Sequence, residues 1–108
     1  FHSALVAPAA ARFAHELEAA AVGAPTFPVI ANATATVYER SAPQVRSRLA
    51  EQLAHPVRFR ESVDTLYALG CRVFVEVGAG TVLSGLVRKC LGDRDHVTVS
   101  LDRPGTHG

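Results

Sequence analysis

Leu5, Val6, Ala9, Phe13, Leu17 and Ala20 recur one, three or four positions apart, a spacing that gathers apolar side chains into one stripe of a helix. Pro8 falls in the first turn, where a missing N–H costs nothing. Gly23 and Pro25 mark the end. Pro28 to Asn32 is a short apolar run bounded by proline and polar residues, which predicts a buried strand. Thr34 to Arg40 shows no clean period and reads as a loop. Ser41-Ala42-Pro43-Gln44 has the marks of a helix start: a capping serine, a proline preset for the first turn, and a glutamine at the capping-box spacing. Val45, Leu49 and Leu53 then share a face. His55-Pro56 interrupts, because a residue before proline is pushed out of helical geometry. The helix that follows carries Val57, Val63, Leu66 and Tyr67 inward and closes at Gly70.

Arg72 to Val77 reads as a strand, Gly78-Ala79-Gly80 as a turn, and Val82, Leu83, Leu86, Val87 and Cys90 as the apolar face of a helix ended by Gly92. His96 to Leu101 alternates and is β-branched, hence a third strand. Strands separated by helices need crossover connections, so the chain is expected to be α/β, with parallel strands covered by helices. Three strands make a thin sheet with two open edges, and the chain starts Phe1-His2-Ser3, almost directly in a helix. Both features lead us to expect a piece of something longer.

The glycine turn admits three readings. A dinucleotide fingerprint requires Gly-x-Gly-x-x-Gly after a strand and an acid after the next strand. Gly78, Gly80 and Asp102 fit, but Leu83 stands where the third glycine belongs. An S-adenosylmethionine loop accommodates Glu76, Gly78 and Gly80, but Val82 replaces its last glycine. The plainer reading is that glycines let the backbone turn sharply from a strand into a helix. A phosphate loop is excluded, since no Gly-Lys-Ser/Thr follows.

Composition narrows the field. With 108 residues the chain forms one domain at most; 48% of them are hydrophobic, 19% charged, and the net charge is +1, as expected of a soluble globular protein. The scattered charges give no electrostatic footprint for nucleic acid, and no apolar run approaches the ~20 residues of a membrane span. Cys71 and Cys90 are far apart and lie among apolar residues, so buried free thiols and a cytoplasmic, reducing setting are expected, with no metal ligands. Among the histidines, His15 lies near Glu18 in solvent, His55 sits in a loop, and His96 and His107 have no identifiable partner. No Gly-x-Ser-x-Gly elbow occurs; Ser3, Ser41, Ser47, Ser62, Ser84 and Ser100 read as caps or surface hydroxyls.

Four segments together carry a resemblance. "FHSALVAPAAARF" resembles the segment around the catalytic histidine of malonyl-CoA:acyl-carrier-protein acyltransferases, a family that includes the acyltransferase domains of polyketide synthases. "FPVIANATA", "LAEQLAHPVRFRESVDTLYALG" and "FVEVGAGTVLSGLVRK" are similar, in order and distance, to later blocks of that family. The resemblance covers about residues 1 to 101 and leaves 102 to 108 as a tail or linker. It implies the carboxyl-terminal part of the large, α/β-hydrolase-like subdomain, with the serine nucleophile and the malonyl-binding arginine upstream.

The resemblance implies that His2 is the general base and acid, and that the main-chain carbonyl of Gln52 orients it. Phe1, just before the histidine, resembles the malonyl-selecting motif rather than the methylmalonyl one. The implied reaction loads a malonyl group from coenzyme A onto the phosphopantetheine arm of an acyl carrier protein, through an acyl-serine, in polyketide or fatty-acid synthesis. No bound cofactor is implied. The implied partners are the amino-terminal remainder of the domain, the carrier protein and neighbouring synthase domains, and the 108 residues alone are expected to be inactive. Two alternatives stay open: a non-catalytic structural or carrier-docking segment, and an S-adenosylmethionine- or dinucleotide-binding half-domain.

Overall fold

A computed structural model of the chain describes residues 6–102; Phe1, His2 and the tail from residue 103 lie outside them. The elements run α1 (Ala7–Ala19), β1 (Ile30–Ala31), β2 (Thr36–Val37), α2 (Ala42–Glu51), a 3-10 turn (Gln52–Ala54), α3 (Phe59–Ala68), β3 (Val73–Glu76), α4 (Val82–Leu91) and β4 (Val97–Ser100). They fall into two compact units, residues 1–62 and 63–108, with the division inside α3. The mixture of helices with a parallel strand pair is α/β, as the alternation of patterns predicts.

In the first unit α1 begins with Pro8 in its first turn, as expected, and stops at Ala19, where Ala20 turns extended. Its free carboxyl-terminal carbonyls are satisfied from α2: Arg46 donates from Nε to the Leu17 carbonyl at 3.0 Å and from Nη2 to that of Ala20 at 3.1 Å. The cap of α2 follows the sequence reading, with Ser41 Oγ accepting from the Gln44 N–H at 3.3 Å. The core gathers Ala31, Tyr38 and Val45, with Val22, Val29 and Leu49 packed against them.

The segment read as a loop contains β2, which pairs antiparallel with β1 (Ile30 with Val37, Ala31 with Thr36). The first strand is therefore half of a small hairpin and not a third parallel strand. Ala35 makes the turn at φ 57°, donating its N–H to the Ala31 carbonyl at 2.8 Å. The run from Pro28 to Asn32 holds β1, as read, whereas β2 has only two residues, too few to show a period of two.

Val57 precedes α3 and is exposed, while Val63 within it is buried. At the carboxyl end the Cys71 N–H reaches the Leu66 carbonyl and the Gly70 N–H that of Tyr67, both at 3.0 Å. This is a Schellman closure, and Gly70 takes the φ of +103° that a side chain would resist. In the second unit β3, α4 and β4 form a parallel crossover pairing Val73 with Val97, Val75 with Val99 and Glu76 with Ser100. One face packs against α4, and Val87 and Leu91 are buried there. The opposite face leaves Val73, Val75, Val97 and Val99 exposed. Cys71 and Cys90 are free thiols, half-buried rather than buried.

Candidate functional site

The glycine turn explains itself once its hydrogen bonds are traced. Gly78 and Gly80 sit at φ +142° and +82°, conformations that only glycine adopts without strain, and they swing the chain from β3 into α4. The amino-terminal turn of α4 presents free N–H groups, which attract an anion. That anion is Glu76. Its carboxylate accepts from the Ser84 N–H at 2.8 Å, the Leu83 N–H at 3.2 Å and the Ser84 hydroxyl at 2.9 Å. The Ser84 and Ser100 hydroxyl oxygens lie 2.6 Å apart, tying the helix to β4. The Ser84 N–H, above all, with help from the Ser84 hydroxyl, the Leu83 N–H and the Ser100 hydroxyl, holds the Glu76 carboxyl below its usual range.

The second acid of the cofactor readings is also committed. Asp102 accepts from the Gly80 N–H at 3.2 Å. The two carboxylates that would meet a ribose or an amino acid moiety instead bind amides of the loop itself. The turn is a strand–turn–helix whose acids bond its own amides. Ser84, expected to be a cap or surface hydroxyl, is buried at 4% exposure because it completes this network; Ser62 is likewise buried, donating its hydroxyl to the Arg58 carbonyl at 2.7 Å.

Gln52 lies in the first unit, where α2 tightens into the 3-10 turn. It is half-buried, and its carbonyl accepts a long 3.4 Å bond from the His55 N–H. A carbonyl oxygen has two lone pairs, and a contact of this length leaves it a ready acceptor for a further N–H. His55 itself was read as an ordinary loop residue. Its Nδ1 lies 2.7 Å from the Glu51 carbonyl, an oxygen that can only accept, so Nδ1 carries a proton. The same turn is braced by Arg48, which donates to Glu51 Oε2 at 3.2 Å and to Glu39 Oε1 at 2.7 Å. His2 and Phe1, the other residues singled out from the sequence, lie outside the described residues.

The resemblance rested on four sequence segments, and the Gln52 turn and the β3–α4 turn lie in two of them. Comparison with known proteins bears it out. A malonyl-CoA acyl carrier protein transacylase of Bacillus subtilis (strain 168) is 42% identical over 106 residues, 98% of this chain and 32% of the relative. Its homologues are malonyl-CoA acyl-carrier-protein transacylases and polyketide acyltransferase domains.

Among solved structures, the acyl carrier protein S-malonyltransferase of Vibrio cholerae aligns over 94% of this chain and 32% of its own, at 33% identity and a TM-score of 0.84. The acyltransferase domain from the second module of the salinomycin polyketide synthase aligns over 98% of this chain and 24% of its own, at 26% identity and a TM-score of 0.85. The chain thus spans about a third or less of the length of these acyltransferases. No family model matches it.

His15 and Glu18 are an exposed pair 4.0 Å apart, as expected. His96, which had no identifiable partner in the sequence, places Nδ1 2.6 Å from the Arg94 carbonyl. Among the described residues no group of three or more His, Cys, Asp or Glu could hold a metal ion, and no helix is long and apolar enough to cross a membrane. A cleft of about 440 Å³ between α1 and α2 is lined by Ala14, Glu18, Pro43, Arg46, Ser47 and Ala50, and its arginine is engaged with the carbonyls of α1.

Proposed function

We propose that this chain is part of an acyltransferase that moves a malonyl group from coenzyme A to an acyl carrier protein. The observation that carries the reading is the homology to malonyl-CoA acyl carrier protein transacylases along nearly the whole chain. The amides engaged by Glu76 and Asp102 at the glycine turn agree with a structural role for that loop.

The chemistry is a double displacement. A serine outside these 108 residues attacks the malonyl thioester while His2 takes its proton, and His2 returns that proton to the departing coenzyme A thiolate. The phosphopantetheine thiol of the carrier protein then attacks the malonyl-serine ester, with His2 acting as base and acid in turn. Gln52 supplies its main-chain carbonyl to the second ring nitrogen of His2 and so fixes the tautomer, as the third member of a triad does. The lightly engaged carbonyl at the end of α2 suits that task. Phe1 narrows the acyl pocket in favour of malonyl over methylmalonyl, a choice that one methyl makes worth only about 1–3 kcal/mol.

On this reading the 108 residues are inactive alone, and the chain works with the remainder of its domain, a carrier protein and neighbouring synthase domains. Substitution in the intact protein tests the roles. His2→Ala abolishes malonyl transfer, whereas Gln52→Ala, which keeps the main-chain carbonyl, leaves most of it. Equal losses in the two variants would refute the backbone assignment.

A further inference from the structure

We propose that His55 is a positioning residue that sets the Gln52 carbonyl for its partner; the inference rests on the acyltransferase reading above. Two features of His55 act on one turn. Its ring Nδ1–H holds the Glu51 carbonyl at 2.7 Å, and its main-chain N–H meets the Gln52 carbonyl at 3.4 Å. These adjacent carbonyls lie where α2 tightens into the 3-10 turn, whose hydrogen bonds are poorer in geometry than those of an α-helix. Pro56 cannot donate an N–H and forces His55 out of the helix, into an extended conformation at φ −123°, ψ 149°. The ring can then fold back to the carbonyl four residues earlier.

The Glu51 carboxylate is gripped by Arg48, itself held by Glu39. Glu51 is thereby held through both its side chain and its main chain, and the ring contact fixes the place of His55, whose own N–H meets the Gln52 carbonyl. His55 is otherwise exposed.

The geometry makes a selective demand on substitutions. An asparagine amide nitrogen falls where histidine Nδ1 lies, whereas a glutamine amide nitrogen falls nearer Nε2. In the intact protein, steady-state transfer of malonyl from coenzyme A to the carrier protein is measured for His55→Ala, His55→Asn, His55→Gln and His2→Ala, with melting temperatures for each. His55→Ala lowers kcat by about 10-fold with KM for malonyl-CoA unchanged, the loss expected of a misaligned catalytic group. His55→Asn recovers most of kcat with the wild-type pH profile, and His55→Gln does not.

Wild-type kcat in His55→Ala, or equal recovery by Asn and Gln, overturns the proposal while leaving the acyltransferase reading intact, provided that His2→Ala abolishes transfer. Transfer retained in His2→Ala overturns the acyltransferase reading, and the proposal falls with it. If His55→Ala fails to fold, the contrast between the Asn and Gln variants decides.

Discussion

Ser84→Ala tests whether the amide pocket of α4 is held by the chain itself. The hydroxyl at this 4% exposed position contacts Glu76 at 2.9 Å and Ser100 at 2.6 Å. Alanine removes both contacts, while the Ser84 and Leu83 amides still reach Glu76. Hydrogen bonds contribute ~0.5–1.5 kcal/mol net each, so the two together amount to about 1–3 kcal/mol. The loss is local, because the hydroxyl ties the first turn of α4 to β4. Hydrogen exchange followed by mass spectrometry on the intact protein reads it directly. Amides in the first turn of α4 exchange faster by roughly 5- to 150-fold, the range equivalent to that free energy. Peptides from α1 and α2 keep their wild-type rates. Unchanged exchange in α4, or an equal rise everywhere, would refute the reasoning.

Three further outcomes follow from the same geometry. Glu76 and Glu39 have carboxyl groups held below their usual range, Glu76 first by the Ser84 amide and Glu39 first by the Arg48 guanidinium. Their stabilisation is therefore present above the unfolded value of ~4.3 and is lost as the pH falls through the lower folded values. Urea midpoints measured across the acid range fall below about pH 4.3, and Glu76→Gln flattens part of that dependence. Gly80→Ala meets open space but must hold φ +82°, so calorimetry on the intact protein records a conformational cost of about 1–3 kcal/mol. Neither S-adenosylmethionine nor NAD shifts the melting temperature, whereas a true site at 100 times its Kd would add ~2.7 kcal/mol.

Local signals were legible in the sequence. The Ser41 cap, the Pro8 and Pro43 helix starts, and the glycine closures at Gly70 and Gly92 depend on a few neighbouring residues, and the structure places them as read. The parallel strand pair was legible because each strand is long enough to alternate. The β1–β2 hairpin was not, since the two residues of β2 leave no period, and the turn uses Ala35 where glycine or asparagine would have signalled it.

At the glycine turn the sequence offered Glu76 and Asp102 as cofactor ligands. What each carboxylate meets depends on how the strands register and where the helix begins, which spacing alone does not determine. A capping reading was nevertheless available, because an acid at the end of a strand, shortly before a helix start, can reach back to the helix amides. His55 was passed over for a similar reason. Its signal was a histidine four residues after Glu51 and directly before a proline, but only the fold of the turn shows the ring facing the carbonyl.

The most direct test of the acyltransferase account is covalent. The intact protein is incubated with labelled malonyl-CoA without carrier protein, digested, and the acylated residue mapped by mass spectrometry. The account predicts a malonyl ester on a serine outside these 108 residues, formed by the wild type and lost in His2→Ala. Absence of any covalent label, or undiminished labelling in His2→Ala, would contradict it.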